Sequence, residues 1–351
     1  MGKAKERETN AAVLKQAMLR RLPRRLLAKG ELQLPAVPAL LDHYVNIFDQ
    51  LWESIGRKFT PPELDEFRKS LSARLDQAYA VSSSSRVLVT YECDPSPKTS
   101  LTWKVVALAA SFEDEYQHWV DTRTPPLFGK HADAKAVDIA RSLGTPAEVT
   151  VLDAGAGTGR NSLPLVREGF SVDALEPASA LCKILRETAA AESVEMGIVE
   201  GNLLDPALVL PRPAYRMVLL SEVVASHFRG SEQLRQLFEV ASRLLEPNGL
   251  LVFNAFLTDG GFKPDLLARQ LSQVMWCALY TRKDLEQACE GLPFERLADE
   301  PAAAYEREHL PEGQYPSTGW YEGWSGGQDL FDLPAERAPV DLRWLVYRKV
   351  S

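Results

Sequence analysis

The residues most suited to chemistry lie in the run Val149-Thr-Val-Leu-Asp153-Ala-Gly155-Ala-Gly157-Thr-Gly159-Arg160-Asn161. An acid closing an apolar strand, followed by alternating glycines, makes a tight passage in which a ligand can approach the backbone and positive φ is tolerated. A dinucleotide loop requires G-x-G-x-x-G, but the third glycine here sits one place early and Arg160 stands where it belongs, so the spacing argues against a nicotinamide cofactor. A second cluster is Ser221-Glu222-Val-Val-Ala-Ser-His227-Phe-Arg229, which places a histidine near an acid. Glu222 and His227 are therefore the candidate proton-transfer residues.

These residues need elements to hold them. Apolar strands at Val149–Asp153, Ser171–Leu175, Val194–Val199, Arg216–Leu220 and Leu250–Phe256 alternate with helices from Arg160, around Ala178–Ala190 and at Ser231–Leu245. That rhythm predicts a parallel sheet with helices on both faces. Ahead of it, helices are expected at Ala11–Leu27, broken at Pro23, then at Pro38–Ile55 and after Thr60. A hairpin is expected from Arg86–Cys93 and Leu101–Leu108 around Asp94-Pro95-Ser96-Pro97. An amphipathic helix over 111–131 ends before Pro125, and a domain boundary is expected near 130, giving an N-terminal extension 1–130 and a catalytic domain 131–351.

At this level the sequence resembles the class I S-adenosylmethionine-dependent methyltransferases. The resemblance rests on the Asp153-Ala-Gly-Ala-Gly-Thr-Gly159 motif, Glu176 at the second strand end, Asn202-Leu203 after the third, and Leu244-Leu-Glu-Pro-Asn248-Gly249 before the fifth. It implies a seven-stranded, mostly parallel, doubly wound Rossmann-like α/β sheet, with a helical plus β-hairpin N-terminal extension added by this chain. S-adenosyl-L-methionine is the implied cofactor, lined by Asp153, Gly155, Gly157, Gly159, Glu176, Asn202, Leu203 and Ser221. Glu176 would accept from the two ribose hydroxyls, since an ionised carboxylate offers two oxygens to a diol. Asn202 and Leu203 would hold the adenine.

In such a sheet the acceptor lies beyond the carboxyl ends of the strands. The loops able to reach it are 221–229, the excursion 257–280, and the insertion 300–336. The last holds Tyr305, Tyr315, Trp320, Tyr321, Trp324 and Phe331, dense against 9% aromatic residues overall. Tyr315, Trp320, Tyr321 and Trp324 are expected either to wall a flat or cationic acceptor or to form a small core. Tyr116, Trp119, Arg123 and Phe128 precede the first strand, as a lid that adds Tyr116 and Arg123 to the acceptor site or as packing against the hairpin.

Residues 1–30 carry nine Lys or Arg against Glu6 and Glu8, a charge of +7, which leaves −15 on the rest of a chain of net charge −8. So acidic a body disfavours nucleic acid as partner. No apolar run of about 18 residues suggests a membrane span, and Met1–Asn10 lacks a secretory core, so a cytoplasmic location is expected. Cys93, Cys182, Cys277 and Cys289 show no metal spacing and no paired framework, and no metal is expected. The resulting expectation is methyl transfer to an oxygen, nitrogen or carbon of a small aromatic or cationic metabolite. The alternatives are a peptide or protein methyltransferase that docks through the N-terminal extension, and a non-catalytic cofactor-binding scaffold. The sequence leaves the oligomeric state open, with a homodimer through that extension as one possibility.

Overall fold

The computed structural model describes residues 7–94, 100–259, 261–334 and 337–350. They form two compact units, dividing between Ser111 and Phe112.

In the first unit, helix α1 (Ala11–Leu19) ends ahead of Pro23, which opens a short 3-10 turn at Leu22–Arg25 as its missing N–H requires. Strand β1 (Ala28–Pro35) follows, then α2 (Leu41–Ser54), α3 (Pro61–Val81), β2 (Arg86–Cys93) and β3 (Leu101–Leu108). The expected hairpin is the β2–β3 pair; Pro95, Ser96 and Pro97 of its turn lie outside the described residues. Strand β1 was not anticipated. It extends the hairpin to a three-stranded antiparallel sheet, and its period of two is carried only by Leu32 and Leu34 between polar neighbours. Tyr44, Val45, Phe48 and Trp52 stripe one face of α2; Phe67, Leu71, Leu75 and Ala78 do the same on α3. Both stripes bury against Val87, Val89 and Val105 of the sheet.

The second unit begins with α4 (Phe112–Thr122) and α5 (Ala134–Ser142). Helix α4 belongs here, ahead of the boundary expected near 130, because Phe112, Tyr116 and Trp119 pack with Ala178, Leu181 and Ile184 of the sheet domain. The sheet then follows as β4 (Thr150–Ala154), α6 (Ser162–Arg167), β5 (Ser171–Glu176), α7 (Ser179–Glu192), β6 (Gly197–Glu200), β7 (Tyr215–Leu220), α8 (Val223–His227), α9 (Ser231–Leu244) and β8 (Leu245–Thr258). It continues with α10 (Leu266–Val274), β9 (Leu279–Tyr280), α11 (Arg282–Cys289), β10 (Phe294–Pro301), α12 (Ala302–His309), α13 (Tyr321–Ser325) and β11 (Val340–Lys349).

The strand order is β10-β11-β8-β7-β4-β5-β6, with the short β9 beside β8. Strand β11 is antiparallel to both neighbours, while β4 through β8 pair in parallel. The fold is therefore the expected α/β sheet, enlarged by β9, which arises inside the 257–280 excursion. Alternate residues feed opposite faces. Leu152, Val218, Leu220, Leu251 and Phe253 pack with α9 and α11, whereas Val151, Met217, Leu219, Val252 and Phe256 pack with α5 and α13. The segment Glu246–Gly249, placed before the fifth strand by the resemblance, lies within β8. Asn248 stands there at φ 64°, and the register with β7 shifts between Tyr215 and Met217.

Candidate active site

Beyond the carboxyl end of β4 the chain passes Gly155 at φ 82° and Gly157 at φ 57°. The N–H groups of Gly155 and Ala156 both donate to the Leu175 carbonyl, at 2.7 and 3.1 Å, which ties the loop to the end of β5. A Cβ at Gly155 would stand 2.2 Å from Cγ2 of Val223, so α8 can sit against the loop only because the side chain is missing. Gly159 also serves packing: its Cβ would meet Leu185 at 2.5 Å and Leu163 at 2.9 Å, where α7 and α6 close on each other.

Glu176 is buried at the end of β5 and accepts from the N–H of Gly157 and of Ala178, each at 2.8 Å. Burial pushes its carboxyl up to about 7. Asp153, also buried, accepts from the Ser162 hydroxyl, and burial pushes it up to about 6. Leu203 is buried in the core on the β6 side, while exposed Asn202 spends its Oδ1 on the Leu204 N–H at 2.9 Å and so shapes its own loop.

The residue in the third-glycine place organises the next layer. Arg160 pairs with Asp133 and with Glu222, the latter at 2.8 Å. Asp133 also accepts from Asn161 and from the Ser221 hydroxyl, so Ser221 is engaged behind the loop. Glu222 has φ 63°, and its N–H donates to Asn254 Oδ1 at 2.6 Å. Burial pushes its carboxyl up to about 7 against the pull of Arg160. Of four largely buried carboxylates here, Asp133 and Glu222 pair with this guanidinium, while Asp153 is held by the Ser162 hydroxyl and Glu176 by backbone N–H groups, so carboxylates outnumber cations. Such an imbalance suits a ligand with a positive centre and opposes a pyrophosphate. S-adenosyl-L-methionine, with a sulfonium and an amino group against one carboxylate, fits it.

His227 does not pair with Glu222. Its Nε2 lies 2.9 Å from Tyr116 Oη, and burial pushes the imidazole down to about 4, which keeps it neutral near pH 7. Around this pair stand Phe112, with its ring 4.5 Å from His227, and Trp276, at 5.2 Å. Trp119 lies 5.5 Å from Trp276, and Phe128 lies 5.9 Å from Tyr116. Phe128 also reaches the glycine loop, 3.3 Å from where a Cβ of Gly157 would be, so the aromatic cluster borders the cofactor crevice. Tyr116 and its neighbours thus pack on the sheet domain. Trp276 was missed by sequence reasoning; its one signal is a lone tryptophan in the long excursion. It stands at φ 57°, and its carbonyl accepts from Trp324 Nε1 at 3.0 Å.

The insertion behaves as core more than as wall. Tyr321 is 2% exposed and Trp324 5%, the latter edge-on to Phe256 at 4.9 Å in the main core. Tyr315 receives the Arg307 guanidinium over its ring at 4.8 Å. Only Trp320 of the four is well exposed, at 41%.

Residues 151–249 match the profile of a methyltransferase domain family. No curated protein sequence matches the chain. Among solved structures, the chain is similar to a Galdieria sulphuraria protein assigned as a sarcosine dimethylglycine methyltransferase, at 15% identity and TM-score 0.47 over 62% of this chain and 85% of that one. It is also similar to geranyl diphosphate C-methyltransferase from Streptomyces coelicolor A3(2), at 16% identity and TM-score 0.45 over 62% of this chain and 79% of that one. Among the described residues no helix is long and apolar enough to cross a membrane. The motif match, the strand order with its antiparallel β11 and the charge of the crevice agree, and the chain carries the domain of a class I S-adenosyl-L-methionine-dependent methyltransferase.

Proposed function

We propose that the enzyme methylates an O–H or N–H group of a small planar acceptor seated against Tyr116, Trp119 and Trp276. The observation that carries this reading is the Tyr116–His227 hydrogen bond inside an aromatic cluster that borders the glycine loop. Gly155, Gly157, Glu176 and Leu203 would hold the cofactor, with Asp153 fixed behind the loop by Ser162. Bound there, S-adenosyl-L-methionine supplies an electrophilic methyl group. The work left to the chain is orientation, exclusion of water and removal of one proton.

Tyr116 and His227 are arranged for that last task. Burial raises the Tyr116 hydroxyl well above its usual range, so a free phenolate is disfavoured. A proton can instead pass from the acceptor to Tyr116 Oη while the Tyr116 proton moves to His227 Nε2. The charges of Glu176 and Glu222 reach Tyr116 and oppose its deprotonation, which favours a relay that leaves the phenol protonated. Glu222 acts through charge and through Arg160, and takes no proton from the acceptor.

The test is methyl transfer by the full chain from labelled S-adenosyl-L-methionine into fractionated small metabolites, with products identified by a mass gain of one methylene. Tyr116→Phe and His227→Gln should each lower kcat by about 10² to 10⁴, the range for loss of a positioned acid or base, with cofactor affinity unchanged. Full turnover in both variants would refute the relay.

A further inference from the structure

On the same unit, the loop after α4 and the loop before α13 enclose an open cavity of about 400 Å³. Its charged lining is Arg123, Lys130 and His131, and no carboxylate lines it. None of these three side chains forms an ion pair among the described residues, and Arg123 places its guanidinium over the Trp119 ring at 3.6 Å. From the opposite loop come Ser317, Thr318 and the exposed indole of Trp320. Thr318 Oγ1 is buried without a hydrogen-bond partner, a cost that a ligand oxygen could relieve. In a chain of net charge −8, a cavity walled only by positive and neutral groups is a local inversion of sign.

Arg123 also connects this cavity to the reacting groups. It stacks on Trp119, Trp119 meets Trp276 at 5.5 Å, and Trp276 meets His227 at 5.2 Å. We infer that the cavity holds an anionic tail of the methyl acceptor, a phosphate ester, with the acceptor's planar end reaching past Trp119 toward Tyr116. This rests on the acceptor site proposed above. Phosphate fits better than a single carboxylate because two cationic side chains, an imidazole and hydroxyl donors surround one volume. The size is within the range that encloses a small metabolite.

The probe is inorganic phosphate, titrated into the full chain by calorimetry and by Trp fluorescence, with succinate as the carboxylate control and S-adenosylhomocysteine as the cofactor control. Phosphate should bind, weaken with added salt, and lose at least tenfold in affinity in the Arg123→Gln, Lys130→Gln double variant. S-adenosylhomocysteine affinity and melting temperature should stay unchanged, since both side chains are on the surface. Phosphate should also inhibit methylation competitively against the acceptor. Absence of phosphate binding by the wild type would overturn the site, and equal binding of succinate would overturn the choice of phosphate. Phosphate binding without competition would overturn its assignment to the acceptor. Failure of S-adenosylhomocysteine to bind would overturn the function itself, which keeps the two results apart.

Discussion

Cofactor affinity should rise with pH through neutrality, and Glu176 should be the reason. Its carboxyl, buried and pushed up to about 7, carries a proton over part of the range in which ordinary glutamates are ionised. Ribose hydroxyls bind the ionised form more strongly, because charged acceptors make the stronger hydrogen bonds. A group at about 7 is about one-tenth ionised at pH 6 and about nine-tenths at pH 8, so affinity should improve about tenfold, or about 1.4 kcal/mol. The sign for the ligand-free protein is opposite. The folded-state value lies above the unfolded one, so between about 4.5 and 7 the native state holds a proton that the unfolded chain has released, and stability falls as pH rises. Asp153 and Glu222 shift in the same direction, so Glu176→Gln is needed to isolate the group. Calorimetry with S-adenosylhomocysteine at several pH values, in buffers of different ionisation enthalpy, reads both affinity and proton release. The Gln variant should bind more weakly at pH 8 and lose most of the slope. An unchanged slope and affinity in that variant would refute the reasoning.

Arg160→Met should cost about 3 to 5 kcal/mol in urea unfolding, since it leaves Asp133 and Glu222 buried without their cation; a loss under about 1 kcal/mol would show that the pair is solvated. Trp324→Ala should cost about 3 to 5 kcal/mol, because the indole fills the core beside Phe256 and donates to Trp276. Trp320→Ala, on an exposed ring, should change stability by about 0.5 kcal/mol or less, and the contrast between the two melting temperatures checks both.

The parts of the fold legible in sequence were those in which one local rule acts alone. Val149–Asp153 and Leu250–Phe256 are mostly apolar, interrupted only by Thr150, Asp153 and Asn254, because their strands are buried on both faces, and a parallel sheet follows from them. The loop glycines were legible because their spacing follows from backbone geometry at a strand end, and Glu176 through its place in the family resemblance. Strand β1 was not, because an edge strand buries little and its alternation falls to Leu32 and Leu34. The two-residue β9 carries no pattern at all and exists only through its pairing with β8.

The acceptor side was harder, for a reason visible in Arg160 and Trp324. Both residue types usually mark surfaces or ligand contacts when they stand in loops, and in each case a long-range partner decides otherwise. Arg160 follows the glycine loop, yet Asp133 and Glu222, far apart in sequence, draw it inward and make it part of the scaffold. Trp324 belongs to an irregular, glycine-rich insertion, yet the face of β8 that carries Phe256 takes it into the core. The same pairing reassigns His227. Beside Glu222 it would be a raised, charged histidine; against Tyr116, Phe112 and Trp276 it is a depressed, neutral one. The depressed imidazole is unprotonated at pH 7 but a weaker base than a free histidine, so in the proposed relay it takes a proton only through the Tyr116 contact, which sequence could not place.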